Sequence, residues 1–169
     1  APELRKEYHS LIAENLEKSY KNHLDDEINQ LAYHYYKSSN SQKVIPYLIE
    51  AGKRSRKQYA VFETIKFFSQ ALEVMKDDEQ WKSERTETLE ALGDLHGFVA
   101  DHELANDCYI RGIANTDDKL AKDRMQKKIR RKKIVENKGV KLSYYVYGNG
   151  DPTILLVSWT SSTELWIPQ

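Results

Sequence analysis

The chain has 169 residues, 26 Lys and Arg against 26 Asp and Glu, and a formal net charge of zero. That balance gives the whole chain no bias toward nucleic acid or acidic membranes. Eleven tyrosines against seven glycines point to large side chains packed between helices and away from a loop-rich fold.

The first residues, Ala1 to Tyr20, are charged and amphipathic and lack the apolar run of a signal peptide. No apolar stretch approaches the ~20 residues of a membrane span. A single cysteine, Cys108, excludes a disulfide within the chain and fits a reducing, cytoplasmic setting. The helical pattern is under way at Glu3, which suggests a piece of something longer.

From residue 3 to about 133, apolar residues recur at three-and-four spacing, the mark of helix faces. In chain order the stripes are Tyr8, Leu11, Ile12 and Leu16; Ile28, Leu31, Ala32 and Tyr35; Val44, Ile45, Leu48, Ile49 and Ala51. Then come Phe62, Ile65, Phe68, Ala71 and Leu72; Leu89, Leu92, Leu95 and Val99; and Leu104, Ala105, Cys108, Tyr109 and Ile113. Short polar breaks separate them, and Ser41 and Asp101 stand where N-caps are useful. Short links favour antiparallel neighbours. Acidic Asp25, Asp26 and Glu27 suit the start of a helix, where the dipole favours negative charge.

A last helix is expected over about 119–133. It carries Asp117 and Asp118 at its start and the basic run Lys127 to Lys133 at its end, again as the dipole prefers. That run reads as a solvated face. A nucleic-acid patch is the alternative, and no aromatic alternates with these charges.

Beyond Val135 the period changes to two. Val140, Leu142, Tyr144 and Val146 alternate with polar residues and tyrosines, Gly148 to Pro152 make a turn, and Thr153 to Val157 form an apolar β run. Two such strands alone are marginal in water. They are expected to start a second unit over 136–169, as a short β-hairpin or a disordered tail, with edges that could pair with a second copy into a homodimer.

Residues 86–119 fit a helix–turn–helix repeat of about 34 residues. Leu89, Leu92 and Gly93 take large, large and small positions, and Ala105, Tyr109 and Gly112 take small, aromatic and small ones. Small residues at facing positions let two helices approach, and the aromatic fills the gap beside them. Residues 25–58 and 45–78 fit the same frame, sharing the helix at 43–57. With these residues the chain resembles the tetratricopeptide family. The resemblance implies an all-α fold over 1–135, an α-solenoid of about seven helices in antiparallel pairs.

Arg5 to His9, Leu31 to Tyr35, Ala51-Gly52 and Tyr59-Ala60 are similar to the helical repeats behind the ATPase module of large bacterial signalling proteins. Those proteins often carry a class III adenylate/guanylate cyclase or a kinase domain. The tail from Gly139 to Trp166 resembles the first two strands of α/β-hydrolase domains. Where that family often has a His-Gly pair, this chain has Val157-Ser158-Trp159-Thr160, and no nucleophile elbow, acid or catalytic histidine is present to carry over. The resemblances imply a non-enzymatic interaction and spacer segment in a multidomain bacterial signalling protein. A free-standing peptide-binding adaptor and a hydrolase fragment lacking its catalytic residues are the alternatives.

No Walker motif or GxGxxG occurs, so no cofactor is expected, and the five histidines show no HExxH or i, i+4 metal spacing. Ser158, Ser161 and Ser162 lack the setting of a nucleophile, and Cys108 is expected to be buried and inert. The expected binding surface is the concave wall of the stack: Asn29, Tyr33, Tyr36 and Lys37, then Ile49, Lys53, Arg56 and Lys57, then Glu90, Asp94 and Phe98. Its partner would be a protein or peptide, or neighbouring domains of the same polypeptide packed against these side chains.

Overall fold

The computed structural model describes residues 2–20, 24–38, 41–137 and 140–146. Among them are seven α-helices and one two-stranded sheet. The helices are α1 (Pro2–Ser19), α2 (Leu24–Lys37), α3 (Ser41–Lys57), α4 (Val61–Met75), α5 (Lys82–Phe98), α6 (His102–Asn115) and α7 (Lys119–Lys128). Strands β1 (Arg131–Asn137) and β2 (Val140–Val146) follow. No helix among the described residues is long and apolar enough to cross a membrane.

Each helix packs chiefly on the one before it and the one after it. The largest buried cluster joins Ala13 of α1 to Ile28, Leu31, Ala32 and Tyr35 of α2, Val44, Ile45, Leu48 and Ala51 of α3, and Phe67, Ala71 and Met75 of α4. Smaller clusters continue it, with Phe68, Leu92, Leu95 and Cys108 in one and Ala105, Tyr109, Ala121 and Met125 in the other.

The pairs α3–α4 and α5–α6 are built the same way. In the first, a Cβ on Gly52 would lie 2.3 Å from Phe68; in the second, a Cβ on Gly93 would lie 2.4 Å from Tyr109. The backbone is therefore close enough to the facing ring that only glycine fits. Between the helices stand Tyr59 and Ala100, both left-handed with φ of 58° and 62°. Each turn closes with a matching bond, Ala60 N–H to the Ser55 carbonyl and Asp101 N–H to the His96 carbonyl. Residues 52 and 93, 59 and 100, and 68 and 109 are each separated by 41 positions. The excess over a period of about 34 residues lies in the link that carries the 3-10 turn Glu79–Trp81. Buried Arg85 holds that link, donating to the carbonyls of Lys76 (2.6 Å) and Asp78 (3.1 Å) and to Asn115 Oδ1 (2.6 Å).

The stripe Tyr8, Leu11 and Ile12 does not face the core; these residues are exposed, and α1 buries Ala13 instead. The reason is that α1 packs mainly on α2, which leaves Leu4, Tyr8, Leu11 and Ile12 largely uncovered. Phe62 is likewise exposed, and Phe67 and Phe68 supply the aromatic packing of α4.

The helix expected to reach 133 stops at Lys128. Asn106 causes the break. Its carboxamide accepts from the Arg130 N–H (2.9 Å) and donates to the Arg130 carbonyl (2.6 Å), which takes both groups out of a helix ladder. Ile129, Ile134 and Val135 then favour extended backbone. The basic run is thus split between α7 and β1, and the partner of β2 is β1, antiparallel, with Lys132 opposite Tyr145 and Lys133 opposite Tyr144. The division expected at 135/136 falls inside β1. The strand expected at 153–157, and the strand-mediated contact that used it, lie outside the described residues, as do Ser158, Ser161 and Ser162.

Candidate functional site: a groove between alternate helices

The buried face of α2 is Ile28, Leu31, Ala32 and Tyr35, at helical spacing. The neighbouring face carries Asn29, Gln30, Tyr33 and His34, and it meets Glu63, Lys66, Phe67 and Gln70 of α4 across a groove of about 290 Å³. α3 packs against both helices, and its side chains do not line this groove. The Tyr36 hydroxyl spans the same pair of helices, donating to Glu73 at 2.5 Å. That bond, with burial and the carboxylate charge, raises the Tyr36 phenol above its usual pKa.

The chemistry of the groove is mixed. Three carboxamides, Asn29, Gln30 and Gln70, can each donate and accept, as a peptide backbone does. Tyr33 is 46% exposed and offers an aromatic wall, with Phe67 buried at the floor. Glu63 and Lys66 place one charge of each sign at the rim. Oδ1 of Asn29 is buried without a hydrogen-bond partner among the described residues, an unpaired acceptor beside the groove.

One contact was not legible in the spacing of the histidines. His9 on α1 and His34 on α2 bring their Nδ1 atoms to 2.9 Å, and Tyr33 meets both rings edge-on. Burial first, then the charge of His9, lowers the His34 pKa, which favours His34 as the neutral acceptor. Only long-range pairing between helices could reveal this pair, since the residues are 25 positions apart.

The other expected site residues are dispersed. Lys37 lines a separate pocket with Pro2, Arg5, Lys6 and His9, and its Nζ lies 5.7 Å from the Tyr36 ring centre. Lys53, Arg56 and Lys57 are exposed on α3 and line neither pocket, while Ile49 is partly buried against the core. Phe98 is 73% exposed at the end of α5.

Glu90 and Asp94 face α7. Arg124 grips Glu90 with two bonds of 2.6 Å, and Lys128 donates to Glu90 at 2.9 Å and to Asp94 at 2.7 Å. The Arg124 bonds are the main cause that holds the Glu90 carboxyl down to about 2, against burial, with Lys128 assisting. Tyr109 also donates to Asp94, and burial together with that carboxylate pushes its phenol well above the usual range. These two carboxylates therefore serve contact between helices.

The same device recurs at the other end. Glu17 of α1 accepts from Tyr35 of α2 (2.6 Å) and from Tyr47 (2.6 Å) and Lys43 (2.8 Å) of α3. Burial raises the Glu17 pKa, but the bonds from Lys43, Tyr35 and Tyr47 outweigh it and bring it to about 2.

Cys108 is buried, and burial, chiefly, raises its thiol pKa, so little reactive thiolate forms at neutral pH. Among the described residues no group of three His, Cys, Asp or Glu is placed to hold a metal ion. Comparison with known proteins adds no relative: no family model, curated protein or solved structure matches the chain.

Proposed function

We propose that the chain is a non-enzymatic protein-interaction and spacer segment, an α-solenoid of tetratricopeptide type within a multidomain bacterial signalling protein. The observation that carries this reading is the repeated helix pair. Gly52 with Phe68 and Gly93 with Tyr109 build the same close contact twice, with the same left-handed turn between the helices. Repeats of this kind bury their faces only against neighbours, so they extend a stack and present long side walls to partners. Links between alternate helices support the same reading: Glu17 ties α1 to α3, Tyr36 ties α2 to α4, and Glu90 ties α5 to α7.

The segment would hold an ATPase or cyclase module on one side at a fixed spacing from a hydrolase-like unit on the other, in a cytoplasmic protein. Partners would dock along the α2–α4 wall. Polar carboxamides beside an aromatic suit an extended peptide, because they can match its backbone groups in either direction.

A titration of isotope-labelled chain with a library of extended peptides tests the docking part. Saturable shifts at Asn29, Gln30, Lys66 and Gln70, abolished by Lys66→Glu or Gln70→Ala, are the expected result. Binding that leaves the α2–α4 resonances unmoved would assign the groove no role. Ester hydrolysis by the purified chain would favour the hydrolase alternative and remove the non-enzymatic reading.

A further inference from the structure

We propose that the open end of the α1–α2 pair is an anion site, in which Arg5, Lys6, His9 and Lys37 take a phosphoryl dianion. These residues line a pocket of about 410 Å³ together with Pro2. Among the described residues, three of the five lining side chains are full cations and none is a carboxylate. Glu3 and Glu7 belong to the same helix but form no part of the lining. The pocket is assembled from two helices, so the charge is a product of the fold and not of one charged run: Arg5, Lys6 and His9 come from α1 and Lys37 from α2.

Several cations elsewhere in the chain are neutralised by acidic neighbours. Lys43, Lys82, Arg111, Arg124, Lys127 and Lys128 each reach a carboxylate within 4.0 Å. No such ion pair joins Arg5, Lys6 or Lys37 to an acidic side chain among the described residues. Three like charges held around one opening repel one another, and a ligand of opposite charge relieves that repulsion. A dianion with three terminal oxygens also suits the planar fork of Arg5 and the point charges of two lysines.

His9 adds direction. Its Nδ1–H is committed to His34, so its Nε2 is the ring nitrogen left for a ligand, and it donates to an anion in the imidazolium form. The edge-on contact with Tyr33, with centroids 5.8 Å apart, further fixes the ring. A ring pinned by a hydrogen bond and an aromatic neighbour loses less freedom on binding than a free surface side chain does.

Inorganic phosphate and a phosphorylated side chain of a partner protein share this chemistry. The site shares no lining residue with the α2–α4 groove and meets it only where His9 touches His34 and Tyr33.

The test titrates the labelled chain with inorganic phosphate at constant ionic strength, using sodium chloride as the control. Saturable shifts at Arg5, Lys6, His9 and Lys37 are expected, and Arg5→Gln combined with Lys37→Gln should weaken binding at least tenfold. Both positions are exposed, so the double variant should melt as the parent does. Phosphate shifts no larger than those from chloride, or unchanged affinity in the double variant, overturn the site. A matched pair of peptides, one with phosphoserine and one with serine, then identifies the source. Phosphoserine binding tighter than inorganic phosphate assigns a phosphorylated partner, and equal affinity assigns free phosphate. Loss of groove binding in Lys66→Glu with phosphate binding intact would show that the two surfaces fail or hold separately.

Discussion

Two glycines of one helix separate the demands of packing from those of helix propensity. Gly93 has Tyr109 where a methyl group would go, 2.4 Å from the ring edge, whereas nothing lies within 4 Å of a Cβ at Gly97. Tyr109 is buried and its hydroxyl is fixed by Asp94, so the ring cannot yield freely. Gly93→Ala should therefore destabilise the chain by roughly 1–3 kcal/mol, the ordinary cost of overpacking. Gly97→Ala should stabilise it by up to about 1 kcal/mol, since alanine loses less backbone entropy in a helix. Denaturant midpoints for both variants check the pair, and equal shifts would mean that the Tyr109 contact does not constrain α5. Arg85 gives a third residue-scale expectation. Its guanidinium satisfies the carbonyls of Lys76 and Asp78, and Lys76 has a positive φ of 46° at the end of α4. Arg85→Met keeps the apolar stem and removes these bonds, and it should cost on the order of 2 kcal/mol, because two carbonyls and Asn115 Oδ1 lose a charged donor. A midpoint unchanged from the parent would show that water replaces the guanidinium there.

At the scale of elements, the end of α7 is decided by one side chain from another helix. Asn106→Ala removes both bonds to the Arg130 backbone while leaving the β1–β2 ladder itself unaltered. The amides of β1 should then lose hydrogen-exchange protection several-fold relative to those of α2 and α3, whose buried residues belong to a different cluster from those of α6. Uniform protection across the chain would show that the hairpin is held by other contacts. This case also marks what the sequence could tell. The helices α2 to α6 were legible because their apolar residues recur at 3.6-residue spacing and because Gly93 and Tyr109 stand at paired positions. Asp101 was legible as a cap, and its carboxylate does accept from the Leu104 N–H at 3.2 Å. The end of α7 was not, because Lys127 to Lys133 carries no period and the deciding contact comes from 24 positions earlier. The candidate groove was half legible. Asn29 and Tyr33 of α2 followed from the pattern, but their partners Glu63, Lys66 and Gln70 depend on which helices lie side by side. The exposed stripe of α1 misled for a related reason: periodicity shows that a face is apolar, not that a neighbour covers it.

Across the whole molecule the two ends use one electrostatic device, and acid should release both. Glu17 binds α1 to α2 and α3, and Glu90, with Arg124 and Lys128, binds α5 to α7. Both carboxyls are lowered from 4.5 to about 2 in the folded chain. A carboxylate with a lowered folded pKa contributes its stability fully above the unfolded value and loses it as pH falls toward the folded one. Stability from these groups is thus intact above pH 4.5 and drains away between 4.5 and about 2. A shift of that size corresponds to on the order of 3 kcal/mol for each group; the contribution of Glu17 is the smaller, since its side chain is 30% exposed against 12% for Glu90. Because each helix leans chiefly on its chain neighbours, the losses should be local. Glu17→Gln should flatten the acid dependence of exchange protection in α1 and leave α7 as in the parent, and Glu90→Gln should do the converse. Identical flattening at both ends in either variant would show instead that α1 to α7 melt as a single cooperative body, with no independence between α1 and α7.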